Sequence, residues 1–121
     1  MTSPFDLQTG LWLDIQMRRL TSQGAFYTLV QKGDRDSGFI LVKHRIFGGV
    51  TGLYEWRSGF DGLYGWYNVD FSGKTQENVE EKEIDAYIAR AIARDPDLWV
   101  VEIETHTPDF PLEGRKGQHD T

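Results

Sequence analysis

Asp95, Asp97, Glu102 and Glu104 place four carboxylates within ten residues. Carboxylates so grouped can hold a divalent ion that activates water for hydrolysis. Such a centre also needs a base or a charge stabiliser, and no His or Lys lies among these ten residues. The plainer reading makes Asp95 and Asp97 turn residues around Pro96, and Glu102 and Glu104 the solvent face of a strand. Asp34 and Asp36 ahead of Gly38 resemble the start of a calcium loop, but the twelfth position from Asp34 holds Arg45 where a bidentate Glu is needed. A hairpin turn explains that segment better. His44, His106 and His119 lack metal-ligand spacing, and the glycines form neither G-x-G-x-x-G nor a P-loop. There is no G-x-S-x-G and no cysteine. No catalytic residue, metal site or cofactor is expected.

Two sets of side chains suit binding instead. Arg18, Lys43 and Arg45 could form an anion patch, although Arg18 and Arg19 point about 100° apart on a helix and at most one can join the other cations. Solvated surface is the ordinary fate of such residues. The sharper set is aromatic. Gly52-Leu53-Tyr54-Glu55-Trp56 is echoed by Gly62-Leu63-Tyr64-Gly65-Trp66. In an antiparallel pair, Tyr54 and Trp56 share a face, as do Tyr64 and Trp66. Aligned, the four rings make a platform for a ligand or a partner protein. The competing reading puts them in the core, where a small domain needs its aromatics.

The elements that carry these residues follow from periodicity. Leu13, Met17 and Leu20 give helical spacing, while Leu11, Leu13, Ile15 and Met17 also alternate like a strand; a helix over 13–23, with Gly24 as the residue past the end, is the favoured reading. Residues 25–31 and 39–45 are rich in β-branched and aromatic side chains, and the turn formers between them predict a hairpin. A second hairpin joins a strand at 52–56 to one running from 62 to about 71. Asn78 as N-cap with Glu81 three residues on starts a second helix, whose stripe is Ile84, Tyr87, Ile88, Ala91 and Ile92. Asp95 before Pro96 ends it. A strand at 98–104 follows, with Trp99, Val101 and Ile103 pointing inward. The predicted fold is α+β, a single domain with the order α-β-β-β-β-α-β: an antiparallel sheet of about five strands with two helices covering one face. Residues 1–9 are expected to be a flexible N-terminus, 10–105 the domain, and 106–121 a flexible polar tail.

With 121 residues the chain has room for one modest core. Its formal charge is −6, and the imbalance is local: residues 1–50 carry net +2 and residues 51–121 net −8. That balance disfavours duplex nucleic acid, whose affinity rests on phosphate neutralisation. No run approaches a membrane span, and the N-terminus has no basic and apolar leader pattern. A soluble, cytoplasmic protein is expected.

The run Asp85–Glu104, DAYIARAIARDPDLWVVEIE, resembles the C-terminal signature of a family of small alphaproteobacterial proteins known as domain of unknown function 1491. Two weaker pieces of that resemblance are the segment from Trp12 to the paired Arg18 and Arg19, and the glycine-aspartate stretch from Lys32 into Lys43. The aromatic segment 54–67 carries none of it. The resemblance implies an alphaproteobacterial source and a shared fold, but no activity and no catalytic residues. The expected function is therefore a non-enzymatic protein-binding subunit, adaptor or regulator. The alternative is a small enzyme whose carboxylate or metal site is assembled from distant residues. An anion or single-stranded nucleic-acid binder ranks third.

Overall fold

The structure, a computed structural model, describes residues 8–35, 39–71, 73 and 79–114. Its elements are α1 (Thr9–Ser22), β1 (Phe26–Gln31), β2 (Ile40–Ile46), β3 (Gly49–Ser58), β4 (Tyr64–Asn68), α2 (Glu81–Arg94) and β5 (Trp99–Thr105). The order is the expected one. Helix α1 begins four residues earlier than its periodicity announces. Its first turn has no side-chain cap, but Thr9 and Trp12 are fully buried, so tertiary packing holds what local signals leave weak. The helix ends as a Schellman motif: Gly24 sits at φ +89°, its N–H donates to the Thr21 carbonyl, and the Ala25 N–H donates to that of Leu20.

Helix α2 buries Ile84, Ile88 and Ala91. Asn78, its expected cap, lies outside the described residues. The capping box forms two residues further on: Glu80 takes the N-cap position and exchanges side-chain hydrogen bonds with Glu83. Asp95 is extended, as a residue before proline must be, and stops the helix.

The strand order is β1-β5-β2-β3-β4. This corrects the first hairpin: β1 and β2 are not neighbours. β5 inserts between them, antiparallel to β1 and parallel to β2. The segment after β1 packs on the start of β5 instead of making a tight turn. Trp99 Nε1 donates to the Asp34 carbonyl at 2.6 Å, and the Asp34 N–H donates to that of Asp97. Gly33 is needed there, because a Cβ would collide with the Asp97 carbonyl. β5 takes an interior place because its first half, Trp99-Val100-Val101, is apolar on both sides, and an interior strand buries both. The second hairpin, β3 with β4, forms as expected and pairs Trp56 with Trp66.

The helices cover opposite faces, not one. Ile40, Val42, Trp99, Val101 and Ile103 pack under α1, while Leu41, Leu53, Leu98 and Val100 pack under α2. The cause is legible in β2 and β5, whose Ile40-Leu41-Val42 and Trp99-Val100-Val101 runs are buried on both sides. Of the expected tail, residues 115–121 lie outside the described residues. Residues 106–114 run as a strap across the α1 face of β3 and β4, and Leu112 is buried there.

Candidate functional site

The aromatic residues come together as the pairing required, and the fold then covers them. Trp56 lies 5.3 Å from Trp66, which stacks on Trp12 of α1 at 6.2 Å between ring centroids. Phe110 of the strap sits 4.6 Å from Tyr54 and 5.1 Å from Trp66. Trp66 Nε1 donates to the Glu113 carbonyl at 3.0 Å. Trp56 and Trp66 are buried, as are Trp12 and Trp99, while Tyr64 remains half exposed. Tyr54 and the two tryptophans are thus core, not an open platform. The strap is pinned at several points. Arg19 donates to the Pro111 carbonyl, and the Gln16 amide bonds Glu113 through both its carbonyl and its NH2. His44 is fully buried, with Nε2 2.8 Å from Thr105 Oγ1. That hydroxyl spends its one proton on the Thr107 carbonyl, so Nε2 must be the donor.

The three cations of the anion patch are divided. Arg18 projects from α1 with its side chain 80% exposed and pairs with Asp14. Lys43 and Arg45 alternate onto the α2 face of β2. Lys43 Nζ donates to Glu81 at 2.6 Å and Asp85 at 2.7 Å, and Arg45 donates to Glu81 at 2.6 Å. Glu102 and Glu104 stand beside them, 3.6 and 3.9 Å from Arg45. Two cations therefore meet four carboxylates. Burial opposes the charge on Lys43, but its bonds to Asp85 and Glu81 outweigh this and raise its pKa. The hydrogen bonds to Lys43, then to Arg45, hold Glu81 below the ordinary carboxylate value. Of the acidic set read first from the sequence, Glu102 and Glu104 join this cluster. Asp95 instead caps α2 and accepts from the Asp97 N–H. Among the described residues no group of three His, Asp or Glu is placed to hold a metal ion, and no helix is long and apolar enough to cross a membrane.

Two features were missed. One is a cleft of about 370 Å³ between β3 and the end of α2, lined by Phe39, Leu41, Glu55, Arg57, Tyr87 and Arg94 among others. Burial raises the Glu55 carboxyl despite its hydrogen bond from Arg57 at 2.9 Å, and burial with the nearby Glu55 raises Tyr87. Nothing in the sequence links these residues before folding.

The other is the outer edge of β1. Phe26 is 65% exposed, and Tyr27, Leu29 and Val30 are each 47% exposed. Among the described residues, only β5 pairs with this strand. The signal was available: Phe-Tyr-Thr-Leu-Val-Gln has no alternation and no charge, the pattern of a strand covered on both faces.

A mixed five-stranded sheet between two helices, with a strap over one face and an apolar edge strand, defines a small α+β domain. The sequence matches the family described as "Protein of unknown function (DUF1491)" over residues 7–113, and the chain belongs to that family. Solved relatives agree in fold. A crystal structure of a DUF1491 family protein from Caulobacter crescentus CB15 is 34% identical, with TM-score 0.76, covering 92% of this chain and 99% of that one. An NMR structure of a DUF1491 family protein from the same organism is 33% identical, with TM-score 0.75, covering 93% and 97%. A solution structure of an A. tumefaciens protein is 30% identical, with TM-score 0.61, covering 82% and 86%. No curated protein matches the chain.

Proposed function

We propose that the protein is a non-enzymatic protein-binding subunit, adaptor or regulator whose contact surface is β1. The observation that carries this is the strand itself: an uncharged edge with four large apolar side chains exposed on its two faces. A bare edge of this kind templates pairing with another chain, and proteins that do not use it protect it with charge, proline or cover. This strand carries no charge and no proline, and among the described residues no strand pairs with its outer edge. The test is a tagged pulldown from the native host beside a Tyr27→Lys, Leu29→Lys variant. A stoichiometric partner held by the parent and released by the variant supports the reading; a partner held equally by both removes β1 from it. The C. crescentus and A. tumefaciens relatives support an alphaproteobacterial source, and we place the protein in the cytoplasm, consistent with a chain that uses no cysteine.

The β3/α2 cleft supports a second reading, a small enzyme with a carboxylate site. A carboxyl raised by burial beside a tyrosine and arginines in a concave site marks a candidate functional site. Turnover of a metabolite library, abolished by Glu55→Gln in a folded protein, would establish it.

A further inference from the structure

The partner's chemistry can be read from what lies just inside the exposed edge. The register places Phe26 opposite Glu104 and Thr28 opposite Glu102 on the α2 face, and Tyr27 opposite Ile103 and Leu29 opposite Val101 on the other. The two sides of β1 therefore differ. Behind Tyr27 and Leu29 lies apolar core. Behind Thr28 lies the cluster in which, among the described residues, four carboxylates face Lys43 and Arg45, a net charge of −2. Within it Glu81 takes short hydrogen bonds from both cations. Glu102 and Glu104 have the described cations no closer than 3.6 Å, and each keeps 30% of its side chain exposed. Their oxygens lie toward Arg45 on β2, at 3.6 and 3.9 Å, and retain acceptor capacity for a further cation.

Resting on the reading of β1 as the contact surface, we propose that its occupant is an extended segment of another protein that alternates basic and apolar side chains, added as a sixth strand. An added strand lies about 5 Å beyond β1 and so about 10 Å from β5. A Lys or Arg beside Thr28 lays its methylene stem over that small side chain and brings its head group to Glu102 and Glu104. The alternate residues of the segment point to the other face, against Tyr27 and Leu29. Main-chain hydrogen bonds supply affinity, and the alternation supplies specificity. A second copy of this chain fits less well, since its own β1 has no cation to offer the glutamates and both copies carry −6.

The test titrates isotopically labelled protein with a synthetic peptide alternating lysine with valine, and with its glutamate-for-lysine analogue, following backbone amides. The expected result is shifts confined to β1 and its neighbour β5, with the lysine peptide about tenfold tighter and weakened by salt. Thr28→Lys, which places a cation over the cluster, is expected to lower lysine-peptide affinity about fivefold or more while leaving the spectrum of a folded protein. Equal binding of both peptides at β1 overturns the basic segment and leaves the contact surface standing. Shifts elsewhere, or no binding by either peptide, overturn both. Reversible self-association that Leu29→Lys abolishes assigns the edge to a second copy and overturns the proposal.

Discussion

The two edge strands of this sheet have opposite fates. At one edge, Gly65, Trp66 and Tyr67 of β4 are buried. Trp66 lies beneath the strap and α1, and Tyr67 lies beneath the Arg57 guanidinium, 4.1 Å from the ring centroid. Gly59 makes room for the Tyr67 hydroxyl, which a Cβ there would strike. At the other edge, β1 has comparable apolar bulk, and five of its six residues are exposed. Edge position alone does not explain the difference. The chain spends nine residues, 106–114, on covering β4, and none of the described residues does the same for β1. Among the described residues one edge is closed and the other is left with a single strand neighbour, and that contrast is what supports the proposal of a contact surface at β1.

If that contrast is right, substitutions at the two edges should have opposite signatures. Trp66→Ala removes a buried indole and orphans the Glu113 carbonyl; about 3–5 kcal/mol of stability should be lost, read by urea unfolding. Truncation after Thr105 strips Phe110 and Leu112 from the same face. It should cost about 2–4 kcal/mol and make tryptophan emission quenchable by iodide, while the intact chain resists quenching. Lys43→Met tests the cluster beside β1. Removing a buried cation costs about 3–5 kcal/mol when its partners are equally buried, but Glu81 and Asp85 are about half exposed, so about 1–2 kcal/mol is expected in thermal unfolding. Leu29→Lys should change stability by no more than about 0.5 kcal/mol yet abolish partner capture, the reverse of the β4 variants.

The smallest effect is in the pH profile. Glu81 has a folded-state pKa below its unfolded value, so the stability it contributes is present above the unfolded value and is lost as pH falls through the folded one. Glu55 is shifted the other way: its ionised form is penalised by burial, and protonation on acidification returns stability. Glu81→Gln should flatten the acid limb of a stability-versus-pH curve, and Glu55→Gln should steepen it.

Much of the fold was readable residue by residue. Gly24 marked the end of α1, Asp95-Pro96 the end of α2, and the Gly52–Trp56 echo the β3/β4 pair, each through a local backbone rule. The candidate sites were less so. Trp56 and Trp66 were correctly placed on one face, but alternation does not say whether a face is covered, and here the strap covers it. Lys43 and Arg45 were read as free cations because their partners Glu81 and Asp85 lie about forty residues on.

Sequence alone determined the number and order of the elements, where the helices stop, and that Trp99, Val101 and Ile103 face the core, because these depend on contacts within a few residues and on hydrophobic period. Tertiary structure decided that β5 enters between β1 and β2, that the helices take opposite faces, that the strap closes over β4, and that among the described residues β1 has β5 as its one strand neighbour. Those outcomes depend on which distant surfaces bury each other best, a comparison that no local stretch of the chain contains.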